Sequence, residues 1–448
     1  MSALPDDPRQ ILDDLLARAK TAGADAADAI LVEGTSASLS CRLVEPEDLE
    51  RSEAYDLGLR VLIGKRQAVV SSADFSNPAL EDLVERAVAM ANAVPEDAYA
   101  GLADPDRLAT EIPDLEEFDA AEPSAERMIE TARACEDAAR AVPGITNSEG
   151  AEFGYGKSTV WLAATNGFSG QRQGSRFSIG VSVVAGEGTK MERDYEYSST
   201  VWLADLDDAE EIGRKAGDNT VRRLNPKKAG SAQLPIVYDP RVASSLIGHF
   251  TGAVNGQSVA RGTTFLASKM GEQVFANGIT VVDDPLKKRG LRSKPFDGEG
   301  VQTRTRNVID DGVLTTWILD LATSRQLGLE TTGHASRGTG GPPSPSPTNV
   351  HLAAGSVTKD DLIGAIDEGF YVTELIGMGV NNVTGDYSRG AGGFWIENGE
   401  IAYPVNEVTI AGNLKDMFLN LTPADDLEFK RATNSPTVRV DGMTIAGV

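Results

Sequence analysis

Apolar residues recur three and four positions apart in four stretches of the chain, and this spacing is typical of amphipathic α-helices. The first stretch follows Asp7, a residue type that caps helices, and Pro8, which suits a first helical turn. It ends at Gly23. The other three stretches lie near residues 80–91, 124–141 and 208–224. The pattern therefore predicts a helix-bearing first half.

Beyond Thr146 the apolar period changes from helical to the alternation of β-strands, for example over residues 177–183. Asn166-Gly167 separates two such runs and predicts a hairpin turn. A polar, turn-rich break follows at 225–231, and strand-like runs dominate after it. For 448 residues we expect two α+β domains, with the N-terminal one at 1–228 and a β-rich C-terminal one at 229–448.

The chain carries 42 basic and 67 acidic residues, a formal charge of −25. Such a surface repels phosphate backbones and anionic membranes, so binding to nucleic acid or to a membrane is disfavoured. It should also disfavour acidic peptides. No apolar run reaches the ~18 residues of a membrane span, and the N-terminus lacks a signal-peptide pattern, so we expect a cytoplasmic protein. Two cysteines exclude a four-cysteine zinc site.

The run Gly156-Lys157-Ser158 ends a loose match to a phosphate-binding loop. A phosphate loop needs a helix to begin at the Lys-Ser pair, so that backbone N–H groups face the anion. Here a β-rich segment follows instead, and it leads into the Asn166-Gly167 turn. The sequence therefore argues against nucleotide binding.

Residues able to perform catalysis are few. Asp386-Tyr387-Ser388-Arg389-Gly390 resembles a nucleophile elbow, but Asp386 replaces its first glycine. A Ser388–His334 pair stays open as the less favoured alternative. Two histidines about one turn apart, as a helical zinc motif requires, do not occur. Several carboxylates could bind a hard cation, but each lies within two residues of Pro or Gly, where acidic side chains commonly close turns: Asp283, Asp284, Asp297, Glu299, Asp310 and Asp311.

A set of motifs in the second half resembles the TldD/PmbA family, whose members were once called modulators of DNA gyrase. The longest and most specific motif is VTGDYSRGAGGFWIENGE at 383–400. The others, in the family's order, are VVDDP at 281–285, PFDGEGV at 295–301, TGHA at 332–335, SPTN at 346–349 and IAGNL at 410–414. The similarity extends, more weakly, through the first half.

Members of the TldD branch are similar to zinc peptidases that carry a His-Glu-x-x-x-His helix and a later cysteine ligand. Aligned on Arg261-Gly262-Thr263-Thr264, the two histidine positions correspond here to Ile247 and Gly252, and His249 falls between them. No cysteine follows Cys135. The chain thus resembles the TldE/PmbA branch, which implies no catalytic residue and no metal in this chain, with zinc expected in a TldD-type partner.

The resemblance implies a heteromeric peptidase that cleaves unfolded or modified peptides, with this chain as a non-catalytic subunit. Bare backbone in the Gly-rich segments 332–334 and 384–394 could add to an extended peptide. The hypothesis is that six residues line the shared cavity: His334, Asn349, Thr384, Asp386, Ser388 and Arg389. The alternative is that they only fix tight turns. A stand-alone homodimer that binds peptides or regulatory proteins also stays open.

Overall fold

In the computed structural model, which describes residues 7–43 and 45–447, the first half of the chain forms one antiparallel sheet with four helices. The helices are α1 (Pro8–Thr21), α2 (Asn77–Ala93), α3 (Ala125–Arg140) and α4 (Ala209–Arg222). The strands are β1 (Ala26–Arg42), β2 (Glu45–Ile63), β3 (Arg66–Ser72), β4 (Ile145–Ala164), β5 (Ser169–Ala185) and β6 (Glu192–Thr200), in the order β3-β2-β1-β4-β5-β6.

The four predicted helices of this half are confirmed, and their caps follow the expected chemistry. The Asp7 side chain accepts hydrogen bonds from the backbone N–H groups of Arg9 and Gln10, and Asp208 accepts one from Glu211. The hairpin at Asn166-Gly167 is confirmed too, because it joins β4 to β5. Residues 1–6, on which part of the leader-peptide argument rests, lie outside the described residues.

One face of the first sheet is covered by its own helices. Odd-numbered residues of β1 and β4, such as Leu31 and Trp161, pack under α1 and α2. Leu39 and Phe153 continue the same face under α3 and α4. The even-numbered face is covered only in part, where Ile30 and its neighbours meet residues of the second half. The remainder of this face is therefore free to form a site.

The second half supplies the other sheets and five helices within the described residues. A six-stranded sheet has the order β16-β15-β14-β7-β19-β17, and an added β16–β19 pairing closes it on itself. The elements, in chain order, are β7 (Ala232–Tyr238), α5 (Pro240–Ala253), α6 (Gly256–Ala260), β8 (Val281–Asp283), β9 (Arg306–Asp310), β10 (Val313–Leu314), α7 (Leu321–Leu327), β11 (Ala335–Ser336), β12 (Ser344–Pro345), β13 (Val350–Leu352), α8 (Lys359–Gly364), β14 (Glu368–Ile376), β15 (Asp386–Glu397), β16 (Glu400–Asn413), α9 (Leu414–Leu419), β17 (Leu421–Pro423), β18 (Thr433–Asn434) and β19 (Val438–Ala446).

A second, five-stranded sheet has the order β10-β9-β8-β13-β18, and β11 pairs with β12. The mixed architecture confirms the predicted α+β class. Every strand of the first sheet lies within residues 26–200, and every strand of the other sheets begins at Ala232 or later. The exact division at 228/229 stays a prediction. Among the described residues, no helix is both long enough and apolar enough to cross a membrane.

Candidate functional site

Helix α5 occupies the place at which the resemblance locates a zinc-binding helix. Asp239 caps it by accepting a hydrogen bond from the Arg241 N–H, and Pro240 begins its first turn. Ile247 is buried in the main core of the second half, with 1% exposure. A Cβ added at Gly248 or Gly252 would meet no neighbouring atom within 4 Å. The helix thus presents one apolar position and a bare face where histidine and glutamate side chains would be needed.

His249 lies between these positions and does not compensate for them. Its ring packs edge-on against Tyr387, with centroids 6.0 Å apart. Burial lowers the pKa of His249, and the nearby Arg389 lowers it further. The neutral ring therefore predominates at neutral pH, and its Nε2 atom has no hydrogen-bond partner within the described part of the chain.

The residues present do not fit a zinc ion. Across residues 7–43 and 45–447, no group of three or more His, Cys, Asp and Glu side chains is arranged to hold a metal. Two of the acidic residues considered above are committed to the backbone instead. Asp297 accepts hydrogen bonds from the N–H groups of Glu299, Val301 and Ala335. Asp284 accepts one from Leu286, as expected for a turn-closing carboxylate.

His334 is a buried residue held on both sides of its ring. Its Nδ1 lies 2.8 Å from Thr332 Oγ1, and its Nε2 lies 3.1 Å from Asp283 Oδ1. Asp283 also accepts hydrogen bonds from the backbone N–H and the hydroxyl of Thr348. Burial would raise the pKa of Asp283, but these partners outweigh it and hold the pKa below its usual value. The cluster fixes two loops against β8.

Asn349 has a similar holding role one loop away. Its Oδ1 accepts a hydrogen bond from the Arg292 N–H at 2.9 Å, and its Nδ2 donates to Ser293 Oγ and to Asp284 O, both at 2.9 Å. Gly290 must lack a side chain, because a Cβ there would lie 2.6 Å from Asn349 Nδ2. Asn349 therefore sets the conformation of the loop at residues 290–294.

The remaining predicted site residues lie together around the start of β15. Thr384 donates its hydroxyl to Asp386 at 2.6 Å, and Asn413 Nδ2 donates to the same carboxylate at 3.0 Å. Ser388 is exposed, whereas Arg389 is buried and donates its Nε–H to Ile376 O. Thr384, Asp386 and Ser388 thus lie on one exposed surface, whereas Arg389 and the cluster around His334 are buried.

Two possibilities that the sequence leaves open for this segment are not supported by the structure. The backbone of β15 is not available for strand addition, because β14 and β16 already pair with its two edges. The Ser388–His334 pair is not formed either, since both ring nitrogens of His334 are occupied by Thr332 and Asp283. A hydroxyl without a base is a weak nucleophile. The geometry therefore gives no support to the hydrolase alternative.

A cavity of about 750 Å³ opens between the free face of the first sheet and loops of the second half. Its floor comes from β1, β4 and β5, and its far wall comes from the loop 290–294 with Ser346 and Pro347. The only acidic residue among those that line it is Glu117, whereas five are basic: Lys157, Arg172, Arg176, Arg292 and Lys294. In a chain of charge −25, this local excess of cations marks a second candidate site.

Sequence reasoning missed these cations, because they are scattered between residues 157 and 294. The longest run of basic residues along the chain is 287–289, but its Lys288 and Arg289 form ion pairs with Glu116. A usable signal was present in β5, where Arg172 and Arg176 alternate in register with Gly174 on one face. Alternation that places arginine between glycines indicates a face that contacts something other than a hydrophobic core.

Three family models match this chain: PmbA/TldA metallopeptidase domain 1 at 27–91, its central domain at 118–224 and its C-terminal domain at 231–447. The metalloprotease PmbA of Escherichia coli O157:H7 is 38% identical over 98% of this chain and 97% of its own length. A PmbA homolog of Haemophilus influenzae is 36% identical over 100% and 98%. The chain belongs to the PmbA/TldD metallopeptidase family.

Solved structures agree with this assignment. A candidate modulator of DNA gyrase from Bacteroides thetaiotaomicron superposes with a TM-score of 0.91 at 26% identity, covering 100% of both chains. TldE from Thermococcus kodakarensis gives a TM-score of 0.87 at 21% identity, covering 98% of this chain and 100% of that one, and at this identity it shows the fold alone.

Proposed function

We propose that this chain is the TldE/PmbA-like, non-catalytic subunit of a heteromeric, cytoplasmic TldD/TldE-type metallopeptidase that cleaves unfolded or modified peptides. The zinc ion would belong to the TldD-type partner. The observation that carries the proposal is helix α5, which has a buried Ile247 and a bare Gly252 where the resemblance places metal ligands. A chain that cannot hold the metal acts on peptides only through a partner that does.

Within the complex, the six candidate residues would have different tasks. Thr384, Asp386 and Ser388 are exposed and would contact the peptide or the partner directly. His334 and Asn349 are buried and would keep the loops around them in place, as their hydrogen bonds indicate. Arg389 would hold the start of β15 through Ile376 O.

The test is the metal content of the purified chain, together with hydrolysis of an unfolded, dye-labelled polypeptide with and without a TldD-type relative. The expected result is no bound metal and no cleavage by the chain alone, with cleavage in the mixture. Stoichiometric zinc and chelator-sensitive cleavage by this chain alone would overturn the proposal. Stable peptide binding by a homodimer that never assembles with the relative would favour the stand-alone alternative.

A variant pair locates the functional face of α5. Gly248→Leu adds a side chain where no neighbour lies within 4 Å, so the chain should fold. If this face borders the shared cavity, cleavage by the mixture should fall severalfold or assembly should fail. Asp218→Leu places the same side chain on the exposed face of α4 and serves as the matched control. Equal cleavage by both variants would separate α5 from the function.

A further inference from the structure

Arg172 is one of the basic residues that line the cavity. It is half-buried on β5 at the edge of the cavity, and it forms no hydrogen bond or ion pair with the residues that the structure describes. Its interaction with Glu117 is electrostatic, and burial lowers the pKa of Arg172. Arginine placed in a cleft normally has its fork of donors matched by a carboxylate or a phosphate. Within the part of the chain that the structure describes, that fork has no hydrogen-bond acceptor.

Two further cations face the same space from the opposite wall. Lys294 is 9% exposed and donates to Ala335 O at 3.0 Å, and Arg292 is exposed beside it. Burial lowers the pKa of Lys294 to about 8. Arg172 and Arg292 also lower this pKa, whereas Asp297 raises it. Lys294 is thus close enough to Arg172 and to Arg292 to be repelled by both, and an anion between them would relieve that repulsion.

The middle of the cavity floor is made of residues that have almost no side chain. Gly34 pairs with Ser158, which pairs with Gly174, and in the next row Ser36 pairs with Gly156, which pairs with Arg176. Directly opposed residues point to the same face of a sheet.

Packing does not explain these glycines. A Cβ at Gly34, Gly156 or Gly174 would meet its nearest atom at 3.9, 4.0 and 3.8 Å, which is ordinary contact. Glycine weakens a strand, and it is found where another backbone or a ligand comes close. The floor is therefore suited to a chain that lies flat across it.

We propose that this cavity binds the carboxylate of a short extended peptide, either its C-terminus or an acidic side chain, through Arg172, Arg292 and Lys294. The inference rests on the proposed function in taking a peptide as the ligand. Arg172 and Arg292 supply planar, bidentate donors that match a carboxylate, and the glycine–serine floor leaves room for the backbone beside it. Asn349 acts as a positioning residue, because it holds the loop that carries Arg292.

The test is fluorescence anisotropy of a short uncharged peptide that carries a neutral dye, measured with a free C-terminal carboxylate and with the same terminus amidated. The full chain should bind the free acid roughly 10- to 100-fold more tightly, as expected for one or two charge-assisted hydrogen bonds. The difference should shrink as salt rises, because salt screens the cations around a half-open cavity.

Two variants change the affinity in opposite directions. Arg172→Gln removes the charge and should reduce the preference for the free acid at least tenfold, with little change in melting temperature, since no hydrogen bond or ion pair to a described residue is lost. Glu117→Gln removes the one lining carboxylate and should tighten binding of the acid, a gain that misfolding cannot produce. Arg214→Gln, on the exposed face of α4, is the matched control and should change nothing.

Equal affinity for the acid and the amide, unaffected by Arg172→Gln, would overturn the inference. Inorganic phosphate that binds through Arg172 while the peptide acid shows no preference over its amide would overturn it too, and would assign the cavity to a free anion. Cleavage by the mixture with the TldD-type relative is scored separately. If the mixture cleaves but the chain binds the acid and the amide equally, only this inference fails. If the chain prefers the acid but the mixture does not cleave, only the subunit proposal fails.

Discussion

A buried carboxylate between two arginines joins the two halves of the molecule. Asp28 of β1 accepts hydrogen bonds from Arg60 of β2, through Nε at 2.8 Å and through Nη2, and another from Arg337 Nη1 in the loop before β12. The exposed fractions of the Asp28, Arg60 and Arg337 side chains are 4%, 4% and 0%. Replacing Asp28 with asparagine keeps the shape and removes the charge, so it leaves two buried cations facing each other.

Removal of one partner from a buried ion pair costs about 3–5 kcal/mol, because the remaining charge stays desolvated. Asp28→Asn should therefore lower the free energy of unfolding by about that amount. Urea denaturation followed through the fluorescence of the four tryptophans measures it. Glu53→Gln is the control, because its pair with Arg51 is more than half exposed and should contribute less than ~1 kcal/mol.

The same site predicts a pH dependence. Burial alone would raise the pKa of Asp28, but Arg337 and Arg60 outweigh it and hold the pKa below its ordinary value. The stabilisation is then fully present above the unfolded pKa of about 3.9 and is lost as the pH falls through the lower folded value. Wild type and Asp28→Asn should converge in acid. A loss below ~1 kcal/mol at pH 7, or a difference that grows in acid, would refute the reasoning.

Three further predictions concern single residues. Burial raises the pKa of Glu117 to about 7 despite the opposing effect of Arg172, so the wild type loses stability as the pH rises from about 4.3 to about 7. Glu117→Gln should therefore raise the melting temperature more at pH 8 than at pH 5. An equal rise at both pH values would contradict this. Gly248→Ala should raise the free energy of unfolding, measured by urea denaturation, by about 1 kcal/mol, because alanine favours a helix over glycine. The control Gly213→Ala should lower it, since the added Cβ would lie 2.1 Å from Cys135 O. Burial raises the pKa of the Cys135 thiol to about 12. A thiol reagent at pH 8 should therefore label Cys135 only after the chain has been unfolded in urea. Rapid labelling of Cys135 in the folded chain would contradict this.

The elements that the sequence predicted well are those whose signals are local. Helix α1 carries its own cap and stop in Asp7, Pro8 and Gly23, and the β4–β5 hairpin carries its turn residues. The prediction that a strand and not a helix follows Lys157-Ser158 is confirmed for the same reason, because the segment after the pair continues β4. Each of these depends on neighbours within a few residues, which a pattern along the chain contains.

Strand β15 shows what local patterns cannot give. Its glycines indicated open loop backbone, because glycine is unfavourable inside a strand. In the folded chain a Cβ at Gly393 would lie 2.0 Å from Tyr371 O, so the glycine is there to let β14 approach. The partner that requires it is distant in sequence. The same limit applies to Arg172 and Lys294, which become one site only when the two halves meet.

Net charge is a poor guide to what this cavity prefers. A total of −25 suggested that acidic peptides would be repelled, but at physiological salt a charge acts over only about 8 Å outside the protein. Inside a half-closed cavity the nearest groups decide, and these are five cations against Glu117. Under the two proposals above, this chain would hold a peptide by its carboxylate in the cation-lined cavity while the TldD-type subunit cuts it.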